Sequence, residues 1–110
     1  MRNRELRGEA RISVRQRGTL KAEIDWFPCL IQDMSGSGFL VLCSREVVVG
    51  QVLDFKCELF PGKRLECKIE VRHVSDAGVG TRVVEIDQRG ADLCQLYLQE
   101  QYSERLNRSG

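Results

Sequence analysis

Histidine, proline and tryptophan are scarce in this chain. Its 110 residues hold one histidine, two prolines and one tryptophan, and aromatic residues make up only 6%. With His73 the sole imidazole, the usual side chain for proton transfer and metal ligation is present only once, and it lies on the apolar alternation of a predicted strand, where a core or rim position is expected. The five cysteines (Cys29, Cys43, Cys57, Cys67, Cys94) contain no Cys-x-x-Cys pair. They fall mostly inside apolar runs and read as reduced core residues rather than a disulfide framework or a zinc site. Cys67 and His73 are too far apart along an extended strand to share one zinc without further ligands.

No glycine-rich phosphate loop opens a helix, no Gly-x-Ser-x-Gly elbow occurs, and no histidine neighbours Ser35 in sequence, so neither an enzyme nor a cofactor is expected. No apolar run approaches the roughly 20 residues that cross a bilayer. Met1-Arg2-Asn3-Arg4-Glu5 leads into no apolar signal segment. Membrane insertion is therefore not expected, and a cytoplasmic location is.

Enough remains to build one domain: apolar residues make up 42% of the chain and charged residues 30%. The net charge is only +1, but it is unevenly placed. Residues 1–21 carry seven cations (Arg2, Arg4, Arg7, Arg11, Arg15, Arg17, Lys21) against Glu5 and Glu9, a net +5, which leaves −4 on the rest. A negative body repels nucleic acid in bulk, so DNA and RNA are not expected partners, and the basic segment reads as a local clamp for a small anion.

Residues 1–11 show almost no apolar periodicity and read as a flexible arginine-rich arm. From Ile12 the pattern is that of short strands. Ile12, Val14, Leu20, Ala22 and Ile24 alternate around Gly18, and an extended run from Phe27 to Ile31 follows a corner at Trp26, which with Phe27 is expected to pack there. Asp33 to Gly38 reads as a hairpin turn into Phe39–Cys43, and Gly50 turns the chain into Leu53, Phe55, Cys57 and Leu59. Pro61-Gly62-Lys63 leads to Leu65, Cys67, Ile69, Val71 and His73 on one face, and Asp76-Ala77-Gly78 to a last strand over Val79–Ile86. From about Arg89 the period becomes helical, with Asp87 as N-cap and Leu93, Leu96, Tyr97 and Leu98 on the apolar spacing. Tyr97, Tyr102 and Leu106 near the helix end are candidates for a partner-docking surface. The expected fold is mainly β: a six-stranded antiparallel β-barrel over residues 12–106 with a C-terminal α-helix, since closure removes unpaired edges in so small a sheet.

Two spacings bear on function. Arg-x-x-x-Arg occurs as Arg7/Arg11 and, overlapping it, as Arg11/Arg15. Thirteen arginines make this spacing roughly a chance expectation on its own. The Asp-x-Ser-x-x-Gly pattern of Asp33, Ser35 and Gly38 is much rarer by composition. Guanidinium groups fork onto phosphate oxygens or onto guanine O6 and N7. A carboxylate accepts from guanine N1–H and N2–H, a serine adds a small donor, and glycines admit close backbone approach or φ > 0.

With these motifs in this order, the chain resembles the PilZ domain family, bacterial receptors for cyclic di-GMP. The likeness extends from Arg7 to about Leu98 and includes the apolar strand after Gly38, Leu53 and Phe55, and Val71-Arg72-His73 leading through Gly78-Val79-Gly80 to Val83-Val84. It implies a six-stranded barrel with a C-terminal helix, cyclic di-GMP as ligand, and a downstream protein partner. It also places the paired arginines on Arg7 and Arg11, and the companion ligand-binding residues on Asp33, Ser35 and Gly38. Arg4, Leu6 and Gly36 are secondary candidates. Leu6 stands where many relatives have an arginine that favours two stacked ligands, which implies one ligand per site, although Arg4 is close enough to supply a stacking cation. On this reading the arm orders over the barrel when ligand binds and so signals to the partner. The alternative is a ligand-independent interaction module of the same fold.

Overall fold

The structure is a computed structural model, and it describes residues 11–109. Six strands follow one another along the chain: β1 (Ile12–Ala22), β2 (Asp25–Met34), β3 (Gly38–Leu42), β4 (Val52–Phe60), β5 (Lys63–Ser75) and β6 (Gly78–Glu85), with helix α1 (Gln88–Ser109) closing the sequence. Every strand pair is antiparallel, and the order β1-β2-β3-β6-β5-β4 returns to β1 as a closed barrel. Closure gives every strand a paired neighbour on both sides.

The alternation anticipated from the sequence builds the core most regularly in β4, where Leu53, Phe55, Cys57 and Leu59 point inward. Phe55 meets Phe39 of β3 with ring centroids 4.8 Å apart. Among the described residues no polar or charged side chain is buried. The inside of the barrel is therefore packed with apolar groups and offers nothing to an anion.

The helix begins where the Asp87 cap was expected. Gly90 N–H donates to Asp87 Oδ1 at 2.8 Å, and Ala91 N–H to the Asp87 carbonyl at 2.9 Å. This satisfies donors that the first helical turn leaves without partners. Its buried face is Leu93, Cys94 and Tyr97, with Tyr97 edge-on to Phe60 at 5.6 Å. Leu96 instead faces water, because Cys94 rather than Leu96 completes the stripe with Leu93 and Tyr97. Tyr97 is likewise core and not part of a docking surface. Tyr102 and Leu106 are exposed.

Two further expectations give way at the far end of the barrel. Ile24 is not a strand residue but sits at the tip of the β1–β2 turn, 83% exposed, next to Glu23 in the left-handed region at φ 62°. Trp26 does not pack in a corner. It lies outside the barrel with Lys56 Nζ 4.2 Å and Lys21 Nζ 5.7 Å from its ring centroid. Phe27, its neighbour, is buried.

Candidate functional site

The Asp33 motif owes its orientation to a break in strand alternation. Along β2 the inward residues are Phe27, Cys29 and Ile31, so a regular strand would turn Asp33 inward as well. Instead the β2–β3 register passes from Ile31↔Val41 to Asp33↔Leu40, with Gln32 inserted as a bulge. The bulge resets the alternation: Met34 takes the buried position and Asp33 stays on the outside. The sequence reading placed Asp33 and Met34 inside a turn. The strand in fact runs through both, and the turn is confined to residues 35–37.

A matching irregularity in β1, between Ser13 and Gln16, brings Ser13 opposite Asp33. The Ser13 hydroxyl donates to Asp33 Oδ1 at 3.4 Å. Arg11 is exposed and immediately precedes β1. Extending the Ile12↔Met34 pairing by one step sets Arg11 across from Ser35. The structure thus brings Arg11, Asp33 and Ser35 to one end of the β1–β2 ladder. Arg4, Leu6, Arg7 and the rest of the expected flexible arm lie outside the described residues, apart from Arg11.

Ser35 and Gly38 hold the turn together. Ser35 N–H donates to the Gly38 carbonyl at 3.0 Å, the Ser35 hydroxyl lies 3.5 Å from the same oxygen, and Ser37 N–H donates to Ser35 Oγ at 3.3 Å. Strand β6 then closes over the turn: Val83 N–H donates to the Ser37 carbonyl at 2.8 Å, and a Cβ on Gly38 would stand 2.1 Å from the Thr81 carbonyl oxygen. Glycine at 38 is required by this strand contact. The positive-φ glycines are Gly50, Gly62 and Gly78, so a left-handed turn is not what Gly38 supplies.

Paired residues in an antiparallel ladder share a face. From Ser13 and Asp33 the outer row therefore continues through Leu40 on β3 to Gly80 on β6 and His73 on β5. His73 was expected on the apolar face of β5. A register shift between Val71 and His73 turns it outward, and its imidazole covers Gly80, where a Cβ would meet the ring at 2.2 Å. Beside the turn, a groove of about 540 Å³ opens between the barrel rim and α1, lined by Ile12, Ser35, Gly36, Phe39, Leu98 and Tyr102 among others. Gly36 lines this groove together with Ser35. Sequence reasoning missed Ser13, whose only signal was its polar position two residues after Arg11.

The cysteines are all free thiols, with Cys29, Cys57 and Cys94 buried. Burial pushes the Cys29, Cys57 and Cys67 thiols up to about 12 and Cys94 to about 11. At neutral pH they are protonated and poorly nucleophilic. Among the described residues no group of three or more histidine, cysteine, aspartate or glutamate side chains is placed to hold a metal ion. No helix among the described residues is long and apolar enough to cross a membrane.

A closed six-stranded antiparallel barrel with a C-terminal helix is the architecture that the resemblance in sequence implied. The PilZ domain family model matches residues 5–100, and the chain belongs to that family. Two solved structures carry the same fold. The PilZ domain with c-di-GMP of YcgR from Escherichia coli superposes with a TM-score of 0.73 at 10% identity, covering 92% of this chain and 95% of that one. The Bacillus subtilis inhibitor of motility MotI/DgrA superposes with a TM-score of 0.67 at 18% identity over 90% of this chain, which spans about half (51%) of that protein. No curated protein matches the chain in sequence.

Proposed function

We propose that this protein is a receptor for cyclic di-GMP that binds one face of the ligand on the outside of the barrel at Arg11, Asp33 and the Ser35–Gly38 turn, with Arg7 reaching over it from the arm. The observation that carries this reading is the outward Asp33 beside Ser13, one strand away from Arg11. On this reading Asp33 accepts from guanine N1–H and N2–H, and the arginines fork onto phosphate oxygens or guanine O6 and N7. The likeness to a PilZ domain solved with c-di-GMP supports the choice of ligand. Four extended residues span about 13 Å, so Arg7 and Arg11 can grip different parts of one ligand. Ordering the arm costs about 1–2 kcal/mol per residue fixed, which these charged contacts must exceed. The ordered arm then presents a new surface to a protein partner, and Leu6 favours one ligand per site.

Isothermal titration with cyclic di-GMP, using wild type beside Arg11→Ala and Asp33→Ala, tests the reading. Micromolar or tighter binding that both substitutions abolish supports it, and absent heat from folded wild type overturns it. The ligand-independent module stays as the second reading because of one observation: the apolar groove between α1 and the barrel rim, with Tyr102 exposed beside it. That reading predicts partner binding unaffected by Asp33→Ala.

A further inference from the structure

Arg82 stands on β6 directly opposite Gly38, the last residue of the Asp-x-Ser-x-x-Gly pattern. Gly38 carries no side chain, so nothing from β3 occupies the space beside Arg82 on that row. On its other side Arg82 pairs in register with Glu70 of β5, and their side chains make an ion pair with Arg82 Nη2 3.6 Å from Glu70 Oε1. Glu70 shares the same oxygen with Arg72 at 3.9 Å. The Arg82 side chain is 56% exposed, and Glu70 is the more buried partner at 29%. The guanidinium is thus in water, lightly held, and one row along from the Asp33–Leu40–Gly80 row on the same outer face.

Neighbouring strands lie about 4.8 Å apart and residues about 3.4 Å apart along each strand. Arg82 and Asp33 are separated by two strands and one row, which places their backbones about 12 Å apart with half-buried Leu40 between them. An arginine side chain reaches roughly half of that. We infer that Arg82 is a third ligand arginine, which leaves Glu70 and swings over Gly38 to meet a phosphate or guanine edge of the ligand on the Leu40 platform. Glu70 competes with the ligand for Arg82 and so lowers affinity. An ion pair with so exposed a guanidinium contributes little to stability, and Arg72 stays beside Glu70 when Arg82 leaves, so the exchange for a charge-assisted bond to a phosphate is favourable. This inference rests on the proposed receptor function and adds to it a residue from the opposite side of the site.

The test is calorimetric titration with cyclic di-GMP on wild type, Arg82→Ala and Glu70→Gln, with each fold checked by circular dichroism. Arg82→Ala should weaken binding about ten-fold or more, in line with the loss of one charge-assisted hydrogen bond. Glu70→Gln should strengthen binding about two- to three-fold, because the competing carboxylate is gone. A merely structural ion pair would give two losses or no change. Wild-type binding that Arg82→Ala leaves unaltered overturns this inference while the receptor reading stands, and so does weaker or unchanged binding by Glu70→Gln. No binding by folded wild type overturns both.

Discussion

A side-chain carbon at Gly38 would lie 2.1 Å from the carbonyl oxygen of Thr81. No Cβ tolerates that approach to a backbone atom, so β3 and β6 must part if the residue is changed. Gly38→Ala should therefore destabilise the fold by about 1–3 kcal/mol, the usual cost of overpacking. Gly36→Ala, in the exposed turn, should stay within about 0.5 kcal/mol. Urea unfolding of both variants measures the difference. If Gly38→Ala is as stable as wild type but no longer binds ligand, the glycine acts on the ligand and not on β6.

How much of this was legible in the sequence depended on whether alternation was kept. Leu53 to Leu59 alternate without interruption, and β4 follows them. Asp87 followed by a helical period marked the start of α1. What failed were positions where one residue is inserted. His73 continues the Leu65–Val71 alternation in sequence, yet the shift beside Arg72 turns it outward. Asp33 was found through its motif, but its facing depends on the Gln32 bulge, and one extra residue in a strand carries no compositional mark. Leu96 was placed on the helical apolar spacing and Ile24 on the strand alternation, but the phase set by Leu93, Cys94 and Tyr97 leaves Leu96 outside, and the β1–β2 turn begins before Ile24.

The thiols give the protein a signature in alkali. Folding raises Cys29, Cys57 and Cys67 from 9.0 to about 12, chiefly by burial. A raised thiol pKa means the unfolded chain releases protons first. Stability is thus intact below pH 9 and declines as pH rises from about 9 towards 12. Urea midpoints at pH 8 and pH 10.5 should show this fall, and replacing the three cysteines by alanine should reduce the slope. At pH 8 a thiol-specific reagent should modify half-buried Cys43 well before Cys29, Cys57 or Cys94. Rapid labelling of Cys57 in folded protein would mean that the barrel interior is open to solvent.

Trp26 reports on the end of the barrel away from the Asp33 turn. It is 42% exposed, with two ammonium groups near its ring. Cations beside the ring draw in anionic quenchers and repel cationic ones. Its fluorescence should therefore be quenched more by iodide than by caesium at equal ionic strength, and Lys56→Gln with Lys21→Gln should narrow the gap. Equal quenching by both ions would show that the lysines are not held over the ring. Because Trp26 is remote from the site, cyclic di-GMP should leave its emission unchanged.

The sharpest test of the site concerns Gln32, which touches no proposed ligand group. At Gln32 the β2–β3 ladder skips one residue, and Ile31 and Met34 both face inward while Asp33 faces outward. Deleting Gln32 lets β2 pair with β3 without a bulge: Ile31, Asp33 and Met34 still face Val41, Leu40 and Phe39, so Asp33 stays outward and Met34 inward. The change falls on β1. With Gln16 kept opposite Ile31, Asp33 comes opposite Arg15 instead of Ser13, and Arg11 is carried two residues, about 7 Å, further along the ladder. The deletion variant should therefore fold but lose cyclic di-GMP binding, whereas Gln32→Ala, which keeps the backbone count, should fold and bind as wild type does. Full binding by the deletion variant would mean that the register of Arg11 against Asp33 does not set the site.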